Sequence, residues 1–255
     1  MEQVNLSRSN LTTRTPPVLV PPFQAKFKTK IDMGFVKRLL GQQKSGGLSR
    51  STQNRLDQMY EAVYPLLRPR VVGEVFPIAV LEKNRIALPS GLSFKSCKMA
   101  RVMAAAEYLV CFVATVGKEI DEQIDQLMGQ GKVANAYICD ALGSGAAESV
   151  AERFQNGFDR NFLPETSLQA SNIRFSPGYC DWPVTEQHKL FSLVDAGAIG
   201  VELSPNSLMA PRKSISAVFG LYPKKNGPAP KKHNPCLSCC KKDCIARRSP
   251  AETIN

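Results

Sequence analysis

A stretch reading "ALGSGAAES" (Ala141 to Ser149) restricts the fold more than any other part of this 255-residue chain. The flanking residues predict one long helix from about Val133 to Phe158, and the small residues fall in its middle. Two glycines inside a helix cost roughly 1 kcal/mol each relative to alanine. Something must offset that cost, most simply the close approach of another backbone or of a ligand. Asp140, Ser144 and Glu148 recur every four residues, so they share one stripe of this small-residue face. Such a stripe either faces solvent or lines a site, and solvated helix faces usually carry longer residues than Gly and Ala.

The rest of the chain supplies strands for this helix to pack on. "AEYLVCFVATVG" is a nearly continuous β-rich apolar run, the pattern of a central strand. "RVVGEVFPIAVL" and "RIAL" flank a polar "EKN" turn and predict a hairpin. "DMGFVKRLLG" predicts a short helix stopped by glycine. "STQNRLDQMYEAVYPLLRPR" spaces Leu56, Met59, Tyr60, Val63, Leu66 and Leu67 as a helix, closed by Pro65 and Pro69. "KEIDEQIDQLMGQG" is amphipathic, with Ile120, Ile124, Leu127 and Met128 on one side. "TEQHKLFSLV" is a short helix, and "GAIGVELSPNSLMAPRKSISAVFGLYP" reads as strand, loop and longer strand. Helices and strands mix without a regular βαβ alternation, so the expected class is α+β.

Net charge divides the chain into three. Residues 1–50 carry 9 Lys+Arg against 2 Asp+Glu, residues 211–255 carry 10 against 2, and the segment between carries 14 against 18. Two basic ends on a mildly acidic middle are either solvated tails or a means of steering toward an acidic partner. The ends hold few aromatics and no recognisable nucleic-acid module, so nucleic acid is not the expected partner. No run of about 18 apolar residues exists, so no membrane span is expected. The polar, Pro-bearing start lacks an apolar signal core and predicts a flexible basic arm over residues 1–30. The expected location is the cytoplasm, where thiols stay reduced. There is no P-loop, no G-x-G-x-x-G and no G-x-S-x-G elbow, and only two histidines, His188 and His233.

Three segments carry a family resemblance. "RFSPGYCDWPVTEQ", "LMAPRKSISAVFGLYP" and "ATVGKEIDEQI…DALGSGAAESVAE" resemble, in the right order, parts of the AdoMet-binding activation domain of cobalamin-dependent methionine synthase. They resemble its small free-standing forms in particular. The likeness covers about Arg70 to Pro223. It implies a helmet-like α+β domain built on a bent antiparallel sheet, here over 31–223, with an N-terminal helical part at 31–69. It also implies binding of S-adenosylmethionine and docking onto a corrinoid. The implied role is reactivation: methyl transfer from AdoMet, with one electron, to the cobalt of cobalamin held on a separate corrinoid protein. The chain would then be a methyltransferase component, with flavodoxin or ferredoxin as alternative electron sources.

By the same resemblance, Arg174 meets the AdoMet carboxylate, a task suited to a guanidinium fork. Ser176 offers backbone contacts, Gly178 lets the backbone approach the ligand, and Tyr179 packs near it. Glu148 matches a ligand-contacting helix glutamate, with Asp140 as a weaker candidate on the same stripe. Ser214 and Ser216 match the family's serine strand, at the corrinoid-facing region or the sheet edge. One departure stands out: no tyrosine follows Tyr222, where the family has a further ligand-contacting one.

The tail at 224–255, a basic linker followed by "NPCLSCCKKDCIARR", is an addition to the family pattern. Cys236, Cys239, Cys240 and Cys244 fall within nine residues. Cys236, Cys239 and Cys244 form a C-x2-C-x4-C set that is one short of four ligands, and Cys180 is a candidate fourth. Thiolates so spaced suit an iron–sulfur cluster (4Fe–4S) or zinc, with a reactive thiol tail as the third reading. A cluster would serve to relay the electron. The alternative function is a non-catalytic docking or corrinoid-chaperone module with a structural zinc tail.

Overall fold

The expected central strand is present, and it is buried along nearly its whole length. A computed structural model describes residues 23–26, 30–42, 47–163 and 166–229. In chain order the elements are β1 (Phe23–Lys26), α1 (Met33–Leu39), α2 (Arg50–Val63), β2 (Arg70–Pro77), β3 (Val80–Glu82), β4 (Arg85–Ala87), β5 (Ser93–Lys95) and α3 (Cys97–Val102). Then come β6 (Tyr108–Thr115), α4 (Glu119–Gly129), α5 (Val133–Phe162), β7 (Leu168–Ala170), α6 (Gln187–Phe191), β8 (Glu202–Leu203), β9 (Met209–Ala210) and β10 (Ser214–Pro223).

The main sheet has the order β1-β2-β6-β10-β7, and every neighbouring pair is antiparallel. Side chains alternate between its faces. Val110, Phe112 and Ala114 of β6 join Val71 and Val75 of β2 and Phe219 and Leu221 of β10 under α1, α2, α4 and α5. Leu109, Cys111 and Val113 join Val72 and Val218 on the other face, beneath Ile86, Phe94, Met99, Trp182 and Leu190. Both faces are covered, which is why β6 shows no polar alternation. Phe112, Phe154, Phe158 and Phe219 meet at ring separations of 4.8–6.1 Å and bind α5 to the sheet.

Local chemistry starts the helices. Asp32 caps α1 by accepting from the Phe35 N–H at 2.9 Å, and Ser49 caps α2 by accepting from the Thr52 N–H at 3.1 Å. Helix α5 runs four residues past the expected Phe158, because Phe162 still packs against Phe154 and Phe158.

Three expectations need correction. The hairpin is narrower than its two apolar runs: β3 pairs with β4, and β4 with β5, in a small separate sheet, while β2 lies in the main sheet beside β6. Hydrophobicity marked both runs as strands but could not assign them to different sheets. Met128 is 52% exposed, because the stripe of Ile120, Ile124 and Leu127 already fills the buried face of α4. The arm expected over 1–30 enters the fold at its end, where β1 pairs with Val71, Val72 and their neighbours at the sheet edge.

Candidate functional site

Helix α5 carries the site along one polar stripe. Asp140 and Ser144 share the Lys213 ammonium, which donates to Asp140 Oδ1 at 2.6 Å and to Ser144 Oγ at 3.1 Å. One turn further, Glu148 is ion-paired with the Arg174 guanidinium. Two turns beyond that, Gln155 accepts from Arg174 at 3.5 Å and donates to the Ser171 carbonyl at 2.8 Å. Asp159 ends the series by accepting from the Ala170 N–H at 2.6 Å. The stripe is thus a spine that clamps two incoming segments, residues 170–174 and the approach to β10.

The two glycines of the stretch explain how those segments come so close. A Cβ on Gly143 would sit 2.8 Å from Ile120 Cγ2 and 2.9 Å from Lys213 Cγ. A Cβ on Gly145 would sit 2.6 Å from Val36 Cγ2 and 3.3 Å from the Asp32 carbonyl. What offsets the glycine cost is therefore protein on both sides. The stripe itself is half-buried, not a solvated face, as its contacts with Lys213 and Arg174 show.

Arg174 reaches α5 because its segment runs beside β10. The Ser171 N–H donates to the Gly220 carbonyl at 3.0 Å, and Phe175 and Val218 exchange backbone hydrogen bonds at 2.9 and 2.8 Å. Alternation then turns Arg174 toward the helix and Phe175 into the opposite core. Strand β7 pairs with β10 only from Leu221 to Pro223. Ser214 and Ser216 therefore lie on a stretch of β10 that no named strand flanks on that side. Both are buried, and Ser214 Oγ bonds Thr115 Oγ1 at 3.0 Å and the Pro211 carbonyl at 2.8 Å.

Residues 176–182 form a compact turn. The Ser176 carbonyl accepts from the Tyr179 N–H at 3.2 Å, and the Gly178 N–H donates to the Trp182 carbonyl at 2.8 Å. Gly178 has φ 88°, in the left-handed region, whereas a Cβ there would meet Val184 only at ordinary contact distance. Glycine is needed here for its backbone angle more than for space. Tyr179 is 69% exposed and Cys180 is exposed with φ 55°. Trp182 anchors the turn, buried edge-on against Phe94 at 5.4 Å.

Sequence reasoning missed four residues that shape this site: Gln155, Lys213, Asp181 and Ser171. Asp181 accepts from the Ser96 hydroxyl at 2.6 Å and from the N–H groups of Cys97 at 2.7 Å and Lys98 at 3.2 Å. It thereby ties the turn to the start of α3. Burial pushes its carboxyl pKa upward, but the donated hydrogen bonds prevail and hold it below the usual value. Only the i+7 position of Gln155 relative to Glu148 could have flagged any of the four from sequence.

Tyr222 differs from a ligand-facing tyrosine. It is buried, its hydroxyl donates to the Val102 carbonyl at 2.9 Å, and burial raises its pKa. Cys236, Cys239, Cys240 and Cys244 lie outside the described residues. Among the described residues no group of three or more His, Cys, Asp or Glu side chains is placed to hold a metal, so Cys180 has no such set around it there. Among them, too, no helix is long and apolar enough to cross a membrane.

An arginine fork and a carboxylate held side by side, with a glycine turn and an exposed tyrosine on the same segment, suit a small ligand carrying both a carboxylate and a cationic group. The fold and site define an α+β domain in which the segment leading into a Pro-Gly turn and the approach to a serine strand are clamped to one helix. Residues 97–226 match the family described as vitamin B12 dependent methionine synthase, activation domain, and the chain belongs to that family. Among solved structures it is similar to the MetH reactivation domain bound to AdoHcy, at 20% identity and TM-score 0.60, over 86% of this chain and 85% of that one. No curated protein matches it.

Proposed function

We propose that this chain binds S-adenosylmethionine beside Glu148 and Arg174 and delivers its methyl group to cobalamin on a separate corrinoid protein. The observation that carries the reading is the Arg174–Glu148 pair, set on the spine of α5 within the segment that matches the family. The guanidinium has donors to spare for the ligand carboxylate, and Glu148 suits the ammonium and sulfonium charges. Ser176, Gly178 and Tyr179 shape the wall of the same turn, and Tyr179 is exposed enough to meet a ligand or the docked partner. Cobalamin oxidised to Co(II) cannot accept a methyl cation, and one electron together with the AdoMet methyl group restores its methylated form, leaving S-adenosylhomocysteine. The two basic ends suit docking onto an acidic corrinoid protein.

In this reading 31–223 is the activation domain and 224–255 a basic linker and tail. Cys236, Cys239 and Cys244, with Cys180 as the exposed fourth thiol, suit an iron–sulfur cluster that relays the electron, or zinc. Flavodoxin or ferredoxin would otherwise supply the electron. Calorimetry with AdoMet tests the central claim: binding by the unmutated protein, lost in Arg174→Ala, is expected. Absence of binding by the unmutated protein overturns it and leaves a docking module, a reading that the lack of a tyrosine after Tyr222 favours. Iron, sulfide and zinc counts after anaerobic purification test the tail, and zinc alone or no metal would sink the relay.

A further inference from the structure

We infer that Gln155 is the positioning residue of Arg174 and sets how firmly the site grips a ligand carboxylate. The inference rests on the reading that Arg174 receives that carboxylate. Gln155 is 4% exposed and stands on α5, seven residues after Glu148. The Ser171 carbonyl can only accept, so the amide NH2 of Gln155 must face it, and the amide oxygen must face Arg174. One side chain therefore holds the guanidinium and, three residues upstream, the backbone that carries it.

The 3.5 Å reach from Arg174 to Gln155 exceeds the usual 2.7–3.2 Å, so Glu148 is the dominant partner in this structure. That balance reverses when the cationic end of a ligand engages Glu148. Arg174 then keeps Gln155 as its partner on the spine. A neutral amide can steer the guanidinium without neutralising it, whereas a second carboxylate would compete with the ligand's own. Of the five guanidinium donors, one is directed to Glu148 and one to Gln155, which leaves three for a ligand.

The test titrates S-adenosylhomocysteine and 5′-methylthioadenosine, which lacks the amino-acid end, into wild type, Gln155→Met and Gln155→Glu. Both variants should bind S-adenosylhomocysteine about tenfold more weakly, the scale of one hydrogen bond to a charged group. Gln155→Glu should lose at least as much as Gln155→Met, and 5′-methylthioadenosine should shift less than about twofold in either. Circular dichroism and melting of each variant certify its fold before the titration, and the uncharged Gln155→Met keeps the buried site free of a new carboxylate. Equal losses for the two ligands would make Gln155 a fold residue and overturn the inference. So would wild-type binding that Arg174→Ala abolishes while both Gln155 variants retain it. Wild-type protein that binds neither ligand removes the proposed function and this inference together.

Discussion

Gly145 offers a direct measure of how closely α5 is approached. Gly145→Ala gains roughly 1 kcal/mol of helix propensity. Against this, the new Cβ would lie 2.6 Å from Val36 Cγ2, 3.1 Å from Ile31 Cγ2 and 3.3 Å from the Asp32 carbonyl. Val36 is fully buried and β-branched, so it cannot swing aside, and Asp32 is held as the cap of α1. Overpacking of this kind costs about 1–3 kcal/mol. The net expectation is a loss of about 1 kcal/mol. Gly129, at the end of α4, is the control, because nothing lies within 4 Å of a Cβ placed there. Gly129→Ala should stabilise by about 0.5–1 kcal/mol. For a protein of this size 1 kcal/mol moves Tm by about 2–4 °C, so the two variants should melt roughly 3–8 °C apart. Reversible thermal unfolding followed by circular dichroism measures the difference. A Gly145→Ala protein that melts as high as Gly129→Ala would refute the packing account of the small-residue face.

Other outcomes follow from the site's surroundings. The Asp181 pKa is depressed in the folded protein, so its contribution is present above the unfolded value of 3.8 and is lost as pH falls through the folded value. Asp181→Asn should therefore lower Tm at neutral pH, and the gap to wild type should close in strong acid; a gap independent of pH would contradict the assignment. Among the described cysteines, Cys97 and Cys180 are exposed, while Cys111 and Cys139 are buried. Burial, reinforced by Glu74, raises the Cys111 thiol pKa, and burial, with help from Asp140, pushes Cys139 up to about 11. Peptide mapping after brief iodoacetamide treatment of metal-free protein at pH 8 should find Cys97 and Cys180 modified and the other two protected. Phe219→Ala should cost about 3–5 kcal/mol by emptying the ring cluster beneath α5, read by denaturant unfolding.

The legible parts of the chain were those whose signal is local. The β6 run, the helices α1 and α2, and the stripe of Asp140, Ser144 and Glu148 all follow from residue type and spacing within a few turns. Arg174, Gly178 and Tyr179 were legible as a segment likeness, and the structure brings Arg174 to Glu148. Their partners were not legible. Lys213 lies 73 residues from Asp140 in sequence, and Ser96 lies 85 from Asp181. Nothing local distinguishes Lys213 or Asp181 from an ordinary surface charge, and Gln155 reads as one more polar helix residue.

By itself, then, the sequence determined the long helices and the central strand, that glycine-lined α5 must be closely approached, and which family the chain resembles. Only the tertiary structure decided what approaches that helix: Val36 and Ile120 at the glycines, Lys213 and Arg174 at the polar stripe. Periodicity encodes which face of an element is buried. The partner of that face depends on how distant strands pair, and here the β6–β10 register together with the Phe175–Val218 bridge sets Arg174 against Glu148.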